Sequence, residues 1–421
     1  MLPRLSAMVR SAVVILLVTS CATDAKSPPT STSSTPTATS PTDTSAVAPS
    51  GPAVGPSVVT PIVGSALAPP VAVPATDGKV HLAYELKLTN TLDQEVTLTS
   101  VAAVVGGKTL LTLTGDGLAF WTRIIGSQTP TTKIGPAQTA LIWLDVTVDQ
   151  PADVPTEIGH MVGLTVPHPQ PPLVPSTMTE SIAFTKVAAR KPVTIAPPLS
   201  GPGWLDGDGC CAMSAHRTAL NPINGQLWGA ERFAIDFVQL TPEGRLFIGD
   251  RTKVESYPYF GTDIHAVADG PVVAVVDNLP EQVPGANPSG LPLDQYGGNH
   301  VVQDIGEGNY AFYAHLATGS VRVKPGDRLT AGQVFASLGN SGNTTAPHLH
   351  FHVMSTPEPL RSNGLPYVFV SFHLDSRIAS DAAVDQLADS GGPVPTQQGF
   401  AQSDKTHVMP LQLDTMSFPN G

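Results

Sequence analysis

Between residues 77 and 186, apolar and polar residues alternate with period two. Val80, Leu82, Tyr84, Leu86 and Leu88 interleave with His81, Ala83, Glu85, Lys87 and Thr89. Ala140, Ile142, Leu144, Val146 and Val148 repeat the pattern, which predicts strands with one buried and one wet face. Shorter β-rich segments at 96–104, 109–114, 161–166 and 178–184 are separated by glycine- and proline-rich turns. About seven such strands predict a small β-sandwich over 76–190. His81, His160 and His168 are scattered along it and read as surface or turn residues, so this domain is expected to serve as a spacer or recognition module.

The chain's beginning has a different pattern. Arg4 and Arg10 flank the start of an apolar run over 12–18, which is too short to span a bilayer but has the length of a signal-peptide core. Val18-Thr19-Ser20-Cys21 resembles a bacterial lipobox. That resemblance implies removal of 1–20 and lipidation of Cys21, which would tether the chain to a membrane without a transmembrane helix. Over 21–75 the residues are mostly Ser, Thr, Pro, Ala, Val and Gly, and Asp43 is the sole charge between Ser27 and Ala75. Such a composition predicts a linker.

Composition sharpens this picture. The 421 residues include 38 Gly and 42 Pro and only 13% charged residues, a balance that favours strands, turns and linkers over long helices. The formal charge of -12 argues against a broad phosphate-binding surface, so no nucleic-acid partner is expected. Residues 1–20 carry two arginines and no acid, so their removal leaves -14. Attraction to an anionic wall would not hold such a chain in place, which gives the lipid more importance.

The chemistry concentrates after residue 200, where nine of the 12 histidines lie. In Pro347-His348-Leu349-His350-Phe351-His352, a strand would turn all three imidazoles to one face, where they can bind a metal or move protons. Cys210 and Cys211 are adjacent. They can form a vicinal disulfide in an oxidising envelope, stay free or ligate metal; with Cys21 lipidated they are left to pair with each other, and the disulfide is the expectation. A cysteine nucleophile would leave the Asp236, His315 and His350 constellation without a role.

Five ordered motifs carry a family resemblance: Phe233-Ala234-Ile235-Asp236-Phe237; His265-Ala266-Val267-Ala268-Asp269-Gly270-Pro271-Val272; Tyr313-Ala314-His315-Leu316; Val323-Lys324-Pro325-Gly326-Asp327 with Ala331-Gly332-Gln333; and Leu338-Gly339-Asn340-Ser341-Gly342 before His348-Leu349-His350. The segment 233–353 resembles the LytM or lysostaphin-type zinc metallopeptidases, peptidase family M23. The resemblance implies a mostly β protein, with the sandwich followed over 200–380 by an antiparallel β domain with a groove, and a tail over 381–421 in which no site is seen. It also implies that Asp236 and His350 ligate Zn²⁺ and that His315 and His348 flank the reactive water, one as base and the other as electrostatic partner, in an order left open.

One position departs from the family. Where its first histidine ligand is expected, four residues before Asp236, this chain has Arg232, whose guanidinium has no lone pair for a metal. His216 is the expected replacement, delivered by the turn-rich Asn221-Pro222-Ile223-Asn224-Gly225. His352 is its rival. His300, His352 and Arg232 are placed on the rim or against substrate, His265 is structural or on the rim, and Asp327 and Gln333 are turn residues. The proline- and glycine-rich stretch 277–295 is expected to border the groove. The resemblance thus implies a lipid-anchored, extracytoplasmic zinc endopeptidase cleaving peptidoglycan stem peptides or cross-bridges. The alternative is a metal-free relative that binds the cell wall or regulates an amidase.

Overall fold

The computed structural model describes residues 57–420. The signal segment, Cys21 and most of the expected linker lie outside the described residues. Among those described, no helix is long and apolar enough to cross a membrane.

Two β-rich domains follow one another. The first is a sandwich of two five-stranded antiparallel sheets. In one sheet, Val80–Asn90 pairs with Thr139–Val148 in a register that sets Tyr84 opposite Leu144 and Leu86 opposite Ile142. These side chains meet Val96, Leu98 and Val101 and Val162 and Leu164 of the other sheet in a common core, the packing that period-two sequences produce when one face of each sheet is apolar. The sandwich starts earlier than the alternation suggests. Ile62–Ala66 is an edge strand paired with Val80–Asn90, so the end of the proline-rich stretch belongs to the fold rather than to the linker.

The expectation that His81, Ala83 and Glu85 face water is overturned: they are 5%, 1% and 1% exposed. The second domain covers this face. Ala83 packs with Cys210, Cys211, Phe233 and Val368. His160, read as a surface residue, is fully buried and bonded to the Tyr84 hydroxyl at 2.8 Å; His168 is exposed.

The second domain is built on an 11-stranded sheet. Its centre runs through Tyr310–Leu316, Leu349–Met354, Ile235–Gln239 and Gly201–Gly207. The residues expected to form a tail are part of this sheet: Asp414–Phe418 pairs with both Gly201–Gly207 and Phe372–Arg377. The helix Asp381–Ser390 caps itself through Ser380, starts with Asp381 and ends at Gly391 in a left-handed conformation, the usual chemistry of a helix start and stop.

The domains are joined by a buried ion cluster. Glu85 accepts from Arg217 Nη1 at 2.5 Å, from Arg232 Nη2 at 2.5 Å and from Arg232 Nε at 2.9 and 3.0 Å. Burial opposes the Glu85 charge, but the two guanidinium groups outweigh it and hold its carboxyl below the usual range. Truncation would strand two buried cations. Glu85→Ala is expected to cost about 3–5 kcal/mol in chemical denaturation, whereas Glu95→Ala, which breaks the exposed pair with Lys133, costs about 1 kcal/mol or less. A depressed carboxylate stabilises above its unfolded pKa of about 4.3 and loses that contribution as pH falls through its folded value. The stability difference between wild type and Glu85→Gln should therefore shrink below about pH 4.3, as read from denaturation midpoints across pH.

Candidate metal centre

Cross-strand register creates the site. Asp236 lies directly opposite His350, and Ala314 lies opposite His350 on the other side. Gly207 lies opposite Asp236. Residues paired this way share a face, so the row reads Gly207, Asp236, His350, Ala314. The two chemically active side chains stand between two small residues, which leaves room above the sheet. Ile235, Phe237, Leu349 and Phe351 alternate to the other face and enter the main core.

His315 would follow Tyr313 into that core if the strand remained regular. Instead its φ is +59°, uncommon for a residue with a side chain, and the pairing with the neighbouring strand shifts at this point. The break turns the imidazole toward the histidine cluster. Its Nδ1 donates to Ser341 O at 2.7 Å, which leaves Nε2 as the lone-pair atom.

His216 comes from outside the sheet, on the one-turn helix Ala215–Thr218. Ser214 caps that helix by accepting from Arg217 N at 3.1 Å. The His216 Nδ1 donates to Ala234 O at 3.1 Å, and its Nε2 lies 3.2 Å from Asp236 Oδ1. The same oxygen is 2.9 Å from His350 Nδ1 and 3.4 Å from His348 Nε2. His348 Nδ1 donates to Ala346 O at 2.8 Å. The rings of His315 and His348 are centred 4.6 Å apart. These five residues are at most 6% exposed.

Two overlapping groups of metal-ligand atoms result, His216–Asp236–His350 and His315–His348–His350. The first fits Zn²⁺. Donors bound tetrahedrally at about 2.0–2.2 Å lie about 3.3 Å from one another, close to the 2.9 and 3.2 Å that separate Asp236 Oδ1 from the two ring nitrogens. The opposite ring nitrogens are engaged, His216 with Ala234 O and His350 Nε2 with His352 Nδ1 at 2.9 Å, the outer contacts that orient imidazole ligands.

Electrostatics agree with a cation at this point. Burial disfavours a charged His216, but the Asp236 carboxylate prevails and pushes it up to about 10. Burial also works against the Asp236 charge, yet His216 and His348 hold that carboxyl well below its usual range. His315 is different: burial, then the neighbouring His348 and His350, push it well below the normal histidine value, so it stays neutral.

Other sequence expectations resolve individually. Arg232 does not line the site; its guanidinium forks onto Glu85 and donates to Gly364 O. His352 is not on a rim but buried behind His350 against Phe312. His300 sits on Phe312 and bonds Gly298 O, and it belongs to neither donor group. His265 bonds Gly332 O in a turn. Cys210 and Cys211 are joined as a disulfide. The stretch 277–295 is pinned to the loop that precedes His348, with Gln282 N donating to Asn340 O and Gly285 N to Thr345 O.

Sequence reading missed Asp208, which accepts from Ala215 N beside His216 and is pushed up to about 6 by burial. The Asp-Gly-Asp-Gly run before the cysteines was its only signal. Asp208, Asp236 and His348 edge a mostly apolar cleft of about 120 Å³, walled by Leu205, Val238 and the helix Asp381–Ser390.

Residues 256–362 match the model of peptidase family M23. They include His315, His348 and His350, whereas Asp236 and His216 precede the matched segment. The chain is 32% identical over 110 residues to the glycyl-glycine endopeptidase ALE-1 of Staphylococcus capitis, a match covering 25% of each protein. It is 30% identical over 102 residues to the peptidoglycan DD-endopeptidase ShyA of Vibrio cholerae, covering 24% of this chain and 20% of that protein. The chain thus spans a quarter or less of the length of these relatives. The solved catalytic domain of the antimicrobial peptidase lysostaphin from Staphylococcus simulans is 22% identical, with 39% of this chain and 88% of that one covered and a TM-score of 0.22.

The donor geometry has a direct consequence. Purified wild-type protein should carry about one zinc per chain by elemental analysis, and His216→Ala should retain little while keeping its β-sheet circular dichroism. Zinc retained in full by that variant would remove His216 from the ligand set.

Proposed function

We propose that this protein is a zinc-dependent endopeptidase of the cell envelope, hydrolysing peptide bonds in peptidoglycan stem peptides or cross-bridges. His216, Asp236 and His350 are its metal ligands, and His315 and His348 its proton-handling pair. The observation that carries the reading is the meeting of His216 Nε2, Asp236 Oδ1 and His350 Nδ1 beside two further histidines. The match to family M23 and the endopeptidase activity named for both relatives support it. In the same reading Cys21 anchors the exported chain to a membrane through lipid.

Two imidazoles and one carboxylate leave the ion a net positive charge, and Zn²⁺ held there would acidify water and polarise a peptide carbonyl. The chain's own residues handle the protons. His315 and His348 each commit Nδ1–H to a backbone carbonyl, Ser341 O and Ala346 O, so each has Nε2 for the reaction. Two adjacent buried imidazoles do not both charge readily. Beyond those two Nδ1 protons the pair therefore takes up a single further one, on an Nε2, accepted as water attacks and delivered to the leaving amine. Buried walls around the cluster exclude bulk water and strengthen these interactions.

The alternative of a metal-free binding or regulatory protein draws on Arg232. The nearness of His216 to Asp236 weighs against it, because a nitrogen donor is supplied from another segment. One relative is a glycyl-glycine endopeptidase and the other a peptidoglycan DD-endopeptidase, so the class in common is peptide-bond hydrolysis, with side-chain choice left to the cleft edged by Asp208 and His348.

His315→Ala is expected to retain zinc yet release soluble peptides from purified peptidoglycan about 10²–10⁴-fold more slowly than wild type. Chromatography of the released peptides reads the rate. Zinc-loaded wild type that releases nothing from either glycine-bridged or directly cross-linked peptidoglycan would overturn the proposal.

A further inference from the structure

The Glu85 carboxylate belongs to the sandwich, yet both of its partners lie in the segments that hold His216. Arg217 directly follows His216 on the one-turn helix Ala215–Thr218. A four-residue helix cannot sustain itself, because nucleation costs more than one turn returns. Its orientation must come from what it grips. Arg217 reaches three acceptors on two adjacent sandwich strands: Glu85 Oε1 at 2.5 Å, Tyr84 O at 3.2 Å and Leu144 O at 2.9 Å.

The other side of the His216 mount leads to the same carboxylate. His216 Nδ1 is fixed by Ala234 O, and Ala234 lies two residues after Arg232, whose guanidinium forks onto both Glu85 oxygens. The helix carrying the imidazole and the segment supplying its backbone acceptor are thus drawn to one point. Arg232, at the position where a ligand was expected, takes part in holding the replacement.

We propose that Glu85 is a positioning residue for the metal centre. Through Arg217 and Arg232 it sets where His216 Nε2 stands relative to Asp236 and His350, so the metal affinity of the second domain depends on the first. This rests on the ligand set proposed above. Metal donors tolerate only a few tenths of an ångström of displacement, and loss of the contacts that orient ligands typically weakens metal binding by about 10–100-fold. The sandwich therefore acts as part of the metal site rather than as a spacer.

The test measures zinc affinity of the full exported chain by competition with a chelator of known strength, at a temperature below unfolding of every variant. Co²⁺ substitution reads coordination through its visible spectrum. Glu85→Gln and Arg217→Met should each weaken zinc binding by about 10–100-fold and alter the Co²⁺ bands, with near-ultraviolet circular dichroism unchanged. Arg217→Met leaves Glu85 paired with Arg232, so it remains informative if Glu85→Gln fails to fold. Thr76→Val removes a different cross-domain hydrogen bond, to Asp414, and should leave zinc affinity within about two-fold, well short of the loss expected from a lost orienting contact. Folded Glu85→Gln or Arg217→Met with wild-type zinc affinity would overturn the proposal. An equal loss in Thr76→Val would also overturn it, since generic loosening of the domains would then be the cause. Absence of zinc binding in wild type would instead sink the ligand set itself, an outcome distinct from either of these.

Discussion

The pairing of Asp236 with His350 on adjacent central strands is the constraint around which the rest of this molecule is arranged. It brings a carboxylate and an imidazole, 114 positions apart, to 2.9 Å. The backbone ladder enforces that closeness before any ligand is considered. Phe237 and Leu349, the next pair along, point into the opposite core. A one-residue slip would move the aromatic and aliphatic side chains to the face of the site and the charged ones into the apolar core. Core burial and site geometry are consequences of the same register.

Around this pair the chain recruits its remaining groups by three different devices. His348 arrives by proximity, two residues before His350. His315 arrives by a local break, a left-handed residue that departs from strand alternation; such conformations cost energy and persist where the surroundings over-determine them, here through the bonds of His315 to Gly297 O and Ser341 O. His216 arrives on a short helix held by Ser214, Ala234 and the sandwich. The third device is the least local, and it brings the first domain into the second domain's chemistry.

That dependence explains why the sandwich presents a buried polar face. His81, Ala83 and Glu85 lie between two cores, and Glu85 is ionised there by its two arginines. A buried ion cluster is weak evidence for net stability. Its value here is geometric: guanidinium forks define direction as well as distance, and a hydrophobic substitute would pack the interface without orienting either arm of the His216 mount.

Much of this was legible in residue order alone, and the boundary is physical. Period-two alternation determined Val80–Asn90 and Thr139–Val148, because a sheet with one core face imposes that pattern locally. Composition concealed Ile62–Ala66, an edge strand in a proline-rich run. Asp414–Phe418 had no long apolar signature, although it sits deep in the sheet. Spacing and motif resemblance marked Asp236, His315, His348 and His350 and exposed the anomaly at Arg232. Residue order could nominate His216, but only the folded chain decided where it stands. It also decided that Glu85, which alternation assigns to solvent, lies against Arg217 and Arg232. Alternation reports that two faces differ; what covers the second face is a contact more than 130 residues away in the chain, and no local pattern encodes it.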